Sequence, residues 1–472
     1  MIKSKNLLVF CVLSSLLFSR VVVNINGEKI TEDFFFSNVS RFQWSQSDSL
    51  QKVSLFSDFL DKQLCVQKAL SLGLLNNPQN DYKARQRSIQ LLVNQTYEIL
   101  VANALVPKEN ISLAKAFLKK ELFINHILVS FDKSELPSPS SRSKKEAYER
   151  ALLAKKSLRF SFSDAALNFS DDPGVKNNFG SLGWVGWGRT DPVFQRAIFN
   201  LPIGVVSDPI LTRFGYHIVL VDSIKNSPYF FSSNYELETL AYNIEKNIIR
   251  SSLPAAAARF DSILINKHGV IFNTPEISRL ASSYKASAGS APTLDINPLE
   301  ALDALAFSGV LCVVNKKGYG LKWFLHRLSS LPSSQLPLFD DASSVAASFR
   351  LVVLRELAVI EGRAAGVDTD PSFLTQSHLS RSGLLYDFYL KHLISSVSVP
   401  DSLEVVSYYE QNKDARYMSN DSSYLPLERV FSRIETSLLR SKQNSVVKEG
   451  VSSLKKSIPF NIFPPYDKYY KN

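Results

Sequence analysis

Three cysteines, Cys11, Cys65 and Cys312, are too few for a disulfide framework or a thiolate-rich metal site in a chain of 472 residues, so stability has to come from packing. Glycine (18 residues) and proline (21) are too sparse for a collagen-like chain, and 45% hydrophobic against 21% charged residues excludes a coiled coil and wholesale disorder. A basic block is also missing. Lys and Arg exceed Asp and Glu by 54 to 44, but the surplus is dispersed, which argues against a nucleic-acid binder and leaves a weak attraction for acidic partners. Past the first twenty residues no apolar run is long enough to span about 30 Å of hydrocarbon. What remains is a globular chain of two to four domains with ample core.

Residues 1–20 hold two lysines and then an apolar stretch from Leu7 to Phe18, which suits the hydrophobic region of a secretory signal peptide and is too short for a membrane span. A buried first strand or helix is the alternative, left open by a poor small-x-small cleavage pattern. Cys11 follows Phe10, where lipidation needs a small residue. The expectation is export, to the periplasm or another extracytoplasmic space, with membrane contact only through the signal segment.

Residues 21–122 open with Val21 to Ile30, VVVNINGEKI, a strand, an Asn-Gly turn and a second strand, and continue with helical periodicity from about Ser49 to Lys120. Residues 123–225 change to short strands, glycines and a Ser/Pro-rich loop, a separate α/β module. Helical texture returns over 226–285, residues 286–298 (ASAGSAPTLDINP) have linker composition, and 299–472 are again mainly helical. Tyr466 to Lys471 are expected to form a frayed tail.

The second helical region echoes the first. An offset of 293 lays Lys62–Pro107 on Arg355–Pro400 without a gap and matches Gly73 with Gly366, Pro78 with Pro371 and Pro107 with Pro400, so helix punctuation is shared as well as leucines. Upstream, an offset of 291 lays Val22-Val23-Asn24-x-x-Gly27 on Val313-Val314-Asn315-x-x-Gly318. Downstream, an offset of 190 lays Ile244-Glu245 on Ile434-Glu435. The offsets 293 and 190 differ by 103 residues, about the length of the α/β module. Tandem duplication with one module inserted in the first copy explains all three matches; chance likeness of Leu-rich helices is the competing account.

Within the module, Ile124 to Val129 has strand composition with His126 inside it. Ser143 to Glu146 reads as a capping box that opens a helix. Ser170-Asp171-Asp172-Pro173-Gly174 is a turn, Gly180 to Gly188 is a glycine-rich strand, and Asp191-Pro192 begins a helix through Phe194. Thr212-Arg213-Phe214-Gly215-Tyr216-His217-Ile218 is a turn leading into a strand. His268, His326, His378 and His392 show no ligand spacing and are expected on the surface or satisfied in the core.

These motifs, in this order, resemble a parvulin-type peptidyl-prolyl cis/trans isomerase domain. The landmarks are the first-strand His-Ile-Leu, the Ser-Asp-Asp-Pro turn, Gly-x-Leu-Gly-Trp, Pro-x-Phe-x-x-Ala-x-Phe-x-Leu and the closing Thr-x-Phe-Gly-Tyr-His-Ile. The resemblance covers about 100 of 472 residues. With the signal and the helical flanks it is similar to the SurA and PrsA group of exported folding factors. The implied fold class is α+β: a four-stranded antiparallel sheet with helices, inserted in a mainly helical, chaperone-like core that occurs twice.

The resemblance implies a polar catalytic centre of His126, Asp172, Thr212 and His217. It implies a proline pocket of Leu182, Phe194 and Phe214, with Thr190 where relatives carry a long apolar residue. Rotation about an X-Pro bond breaks no covalent bond, so neither cofactor nor metal is expected. Thr190, smaller and polar, predicts weaker burial of the proline ring and low activity, at about 25 cal/mol for each Å² of apolar surface left in water. Structural readings stand beside these: the two histidines as satisfied core residues, Phe194 and Phe214 as ordinary core, and Trp184 and Trp187 as packing. The implied partners are unfolded exported polypeptides, outer-membrane proteins among them. The second reading is a non-catalytic holdase that uses a degenerate isomerase domain as a peptide clamp.

Overall fold

The computed structural model describes residues 20–470 except 159–160, 233, 289–297, 330–335, 337–338, 340 and 419–423. The expected signal segment, Arg20 apart, and most of the expected linker therefore lie outside the described residues; residues 286–288 of that expected linker end the helix Thr274–Ala288, and Pro298 begins another. No described helix is long and apolar enough to cross a membrane. Ten strands among the described residues form three antiparallel sheets. They are β1 (Val21–Ile25), β2 (Glu28–Thr31), β3 (Lys120–Val129), β4 (Ser181–Gly186), β5 (Ile210–Thr212), β6 (Gly215–Asn226), β7 (Ile271–Phe272), β8 (Val310–Val314), β9 (Lys317–Gly320) and β10 (Phe460–Ile462).

The chain divides into two compact units, one made of residues up to Tyr97 together with those from Asp261 onward, the other of Glu98–Phe260. In the first unit, Asp48 and Gln51 form a reciprocal capping box on the helix Ser49–Ser71, and Gly73 in the left-handed conformation ends it. The helix Ala342–Ala364 has the same 23 residues, ends at left-handed Gly366, and is followed by Pro371 at the first turn of Pro371–Ile394, as Pro78 opens Pro78–Tyr97. Helix Ser49–Ser71 packs on Pro371–Ile394, and Ala342–Ala364 on Pro78–Tyr97.

The sheets of this unit run β10-β1-β2 and β7-β8-β9. Their turns lie at Asn26-Gly27 and Asn315-Lys316, all four with positive φ. That sets the hairpin offset at 289 and corrects the 291 read from sequence. A slip of two residues keeps every side chain on its face, so the apolar pattern alone could not tell the two apart. The tail reading is also corrected. Tyr466 is 3% exposed, stacked on Phe56 and edge-on to Phe35, because an aromatic slot between the first helices accepts its ring and Glu32 accepts its hydroxyl.

The second unit carries the four-stranded sheet in the order β4-β3-β6-β5. Residues 122 and 124 of β3 and 219 and 221 of β6 face one apolar cluster with Phe194, Ile198 and Phe199. Ile127, Val129 and Ile218 face another, under the helices Lys144–Ser157 and Phe162–Phe169. The Ser143–Glu146 capping box is formed in both directions. The apolar core does not stop at the module's edges: Ala114 and Phe117 of the helix Lys108–Leu118, with Leu237 and Ala241 of Asn234–Ile248, belong to the Phe194 cluster.

Candidate functional site

β3 and β6 are the two central strands, paired so that His126 stands opposite Val219 and Leu128 opposite His217. Alternation puts both histidines on the Phe194 face, just beyond the point where its aliphatic residues end. Both are buried. The turn after the helix Phe162–Phe169 is strapped to β3: Asp171 donates its N–H to the Leu128 carbonyl at 2.6 Å, and Leu128 donates its own to Ser170 Oγ at 3.1 Å. This strapping delivers Asp172 to His126.

The four polar residues form one chain. Asp172 Oδ2 lies 2.6 Å from His126 Nε2, His126 Nδ1 lies 3.4 Å from His217 Nδ1, and His217 Nε2 lies 2.8 Å from Thr212 Oγ1. With both imidazoles neutral, the protons have one arrangement: Asp172 accepts from His126 Nε2–H, His126 Nδ1 accepts from His217, and His217 Nε2 accepts from the Thr212 hydroxyl. The Thr212 oxygen also receives the Phe214 N–H at 3.1 Å, which ties the β5–β6 turn to the chain. The hydrogen bond from His126, partly opposed by burial and helped by the Gly174 N–H, holds the Asp172 carboxyl below the usual carboxylate range. Burial, with His126 alongside, pushes His217 down to about 3, so its ring is neutral at physiological pH.

Asp191 caps the helix Pro192–Ile198 through the Val193 and Phe194 N–H groups, with Pro192 at the first turn. This cap sets Phe194 against the histidines, its ring centroid 4.8 Å from that of His217 and 6.2 Å from that of His126. Leu182 packs at the margin of the same cluster. Phe214 is half-buried under the Arg213 guanidinium, 4.8 Å from its centroid. Thr190 precedes the cap; its Oγ1 is enclosed and has no hydrogen-bond partner among the described residues. The residues expected at the polar centre therefore come together, Phe194 touches both rings, and Thr190 stands apart from the chain of hydrogen bonds.

Sequence reasoning missed the residues that hold this site. Asp171 accepts both Arg142 nitrogens, at 2.7 and 3.0 Å, and the Ser130 N–H and hydroxyl, fixing the turn that carries Asp172. Arg213 bridges Glu135 and Asp191, each at 3.2 Å. The doubled Asp of the Ser-Asp-Asp turn was the available signal, since one carboxylate at the histidine leaves the other needing a cation.

The PPIC-type PPIase (rotamase) family matches residues 126–223, the stretch that holds every member of the hydrogen-bonded chain. Residues 126–223 are a PPIC-type PPIase domain. Foldase protein PrsA of Geobacillus kaustophilus is 37% identical over 86 residues, 18% of this chain and 30% of that protein. Chaperone SurA of Alcanivorax borkumensis is 32% identical over 107 residues, 22% of this chain and 23% of that one. The chain thus matches under a third of either relative's length. A crystal structure of the peptidylprolyl isomerase PrsA from Bacillus anthracis shares 24% identity over 47% of this chain and 89% of that one, with a TM-score of 0.24. Within the PPIase domain, Trp187 is a packing residue, its ring 4.8 Å from that of Phe117 and 5.1 Å from that of Phe199. Trp184 is 41% exposed, beside Phe123 and under Lys225.

Proposed function

We propose that the chain is a peptidyl-prolyl cis/trans isomerase and folding chaperone acting on unfolded exported polypeptides. The observation that carries this reading is the unbroken chain Asp172–His126–His217–Thr212 set against the Phe194 ring. Rotation about an X-Pro bond faces a barrier of roughly 18 to 20 kcal/mol, because twisting ends amide conjugation. The twisted amide is less polar than the planar one, so a dry wall of Phe194, Leu182 and Phe214 favours it over the ground state. A neutral His217 suits that wall, since a charged ring would hold water where the prolyl ring must sit. The polar chain in turn fixes the tautomer and position of the groups facing the amide. An intact chain favours an enzyme over a degenerate clamp, and the enclosed Thr190 hydroxyl fits modest turnover.

A protease-coupled assay on an Ala-Ala-Pro-Phe type peptide tests the enzymatic part: a rate above background is expected, and none, with the domain folded by circular dichroism, overturns it. Suppression of aggregation of an unfolded client by the full chain tests the chaperone part. Export, with the periplasm as compartment and outer-membrane proteins among the clients, belongs to the same proposal and is checked by cell fractionation.

A further inference from the structure

The helix that carries Phe194 is held from its far side by an ion pair whose carboxylate is buried and whose guanidinium is part-exposed. Arg196, two residues on, donates Nη2 to Glu245 Oε2 at 2.5 Å and Nη1 to Asn110 Oδ1 at 3.2 Å. The Glu245 side chain is 2% exposed, and its Oε1 has no hydrogen-bond partner among the described residues. Glu245 and Asn110 lie outside the matched segment 126–223, on the flanking helices Asn234–Ile248 and Lys108–Leu118. The same helices close the sheet's core elsewhere: Phe117 meets Trp187, and Gly188, at φ +86°, lies so near Ile244 that a Cβ there would stand 2.8 Å from Cδ1. A half-satisfied buried carboxylate is a poor source of stability, and an apolar pair would fill the space as well. What the guanidinium fork adds is direction, because its two bonds to two different helices fix how the Phe194 helix is rotated.

We propose that Arg196 and Glu245 are positioning residues for the isomerase site, so that the working catalytic unit is Glu98–Phe260 and the flanking helices set where Phe194 stands relative to His217. This rests on the isomerase reading above. The test is the double variant Arg196→Met/Glu245→Met in the full chain, assayed with the proline peptide. The melting temperature stays within a few degrees of the parent, while KM rises about tenfold with kcat little changed, as misplacement of a binding wall requires. A parental KM in the folded double variant overturns the proposal. Arg196→Lys, which keeps the charge but not the two-armed fork to Asn110 and Glu245, serves if the double variant does not fold; it raises KM in the same sense, and no rise overturns. If the parent chain itself has no isomerase rate, the functional reading fails, and amide hydrogen exchange at Val193 and Phe194 decides the positioning alone: faster exchange in the variant supports it, unchanged exchange overturns it.

A separate observation carries a second inference. Val23 pairs with Ile462 and Asn24 with Asn461, while Cys312 pairs with Phe272 and Val313 with Ile271. The offset of 289 maps 23 and 24 onto 312 and 313, and the offset of 190 maps 271 and 272 onto 461 and 462, so the two registers are the same. The flanking bonds agree: Phe463 N–H to the Val22 carbonyl and Asn273 N–H to that of Leu311, both at 2.9 Å. We infer that the first unit consists of two copies of one hairpin-and-helix module that exchange their last strand, β7 completing the later copy's sheet and β10 the earlier one's. The full chain with a protease site placed within 289–297 and the pairs Val23→Cys/Ile462→Cys or Phe272→Cys/Cys312 tests this. After cleavage each pair is expected to hold the fragments together on a non-reducing gel and to release them on reduction. Fragments that separate without reductant overturn the exchange.

Discussion

Tyr466 donates its phenolic hydrogen to Glu32, 434 residues upstream, and its ring lies against Phe35, Phe56 and Trp44. Removing residues 459–472 would therefore strip β10 from β1 and open the aromatic slot in one step. The expected outcome is loss of the first unit's cooperative melting while the Glu98–Phe260 unit keeps its own transition, read by calorimetry. Tyr466→Phe keeps the ring and removes only the hydroxyl, so it costs about 1.5 to 3 kcal/mol, the worth of a hydrogen bond to a charged group.

Asp172→Asn tests the polar chain. An amide at this position can present nitrogen or oxygen to His126 Nε2, and the carboxylate that fixes the tautomer is gone. Loss of a charge-assisted bond of about 1.5 to 3 kcal/mol predicts a fall of roughly 10- to 100-fold in kcat/KM and a lower melting temperature as well, since the same bond holds the carboxyl below its usual range in the folded chain, while the bond from the Gly174 N–H survives. The peptide assay and a thermal melt on the same sample check both halves.

Stability should fall as the solution is acidified. His217 is held down to about 3 in the folded chain against 6.5 unperturbed, so between these values the unfolded chain binds a proton that the native one refuses. The stability is complete above 6.5 and is lost as pH drops toward 3. Asp171 and Asp172, both held below the usual carboxylate range, lose their share in the same direction at lower pH. Denaturant midpoints measured from pH 7 to pH 4 should decline steadily, and a flat profile would contradict a buried neutral His217.

The PPIase domain was legible because its chemistry is written locally. His126 and His217 sit in short motifs whose strands pair directly, and Asp191-Pro192 is its own helix start. Arg196 and Glu245 were invisible because their meeting depends on how two helices outside the motif pack on the sheet, which no spacing encodes. The hairpin offset failed by two residues for the reason given by strand periodicity, while the offset of 293 lines up left-handed Gly73 with left-handed Gly366 and helix-opening Pro78 with Pro371. Arg87 Nε and Ser380 Oγ, themselves 293 apart, lie 3.3 Å from each other, a meeting of matching positions that sequence comparison aligns without implying. The tail misled because basic and aromatic residues near a terminus suit both a solvated end and an aromatic plug.

Phe194 and Phe214 separate binding from folding. Phe194 is 4% exposed and belongs to the sheet's apolar cluster, so Phe194→Ala leaves a cavity and costs about 3 to 5 kcal/mol, which would confound any loss of rate. Phe214 is half-buried, covered by the guanidinium end of Arg213 rather than by the core, so Phe214→Ala costs about 1 kcal/mol or less of stability. If Phe214 lines the proline pocket, the same variant uncovers part of the prolyl ring, and at about 25 cal/mol for each Å² of apolar surface this raises KM roughly three- to tenfold. Phe214→Leu, which restores most of the apolar surface, should recover most of the affinity. Parallel melting curves and Michaelis plots for the two Phe214 variants check this, and equal KM values for alanine, leucine and phenylalanine would remove Phe214 from the pocket.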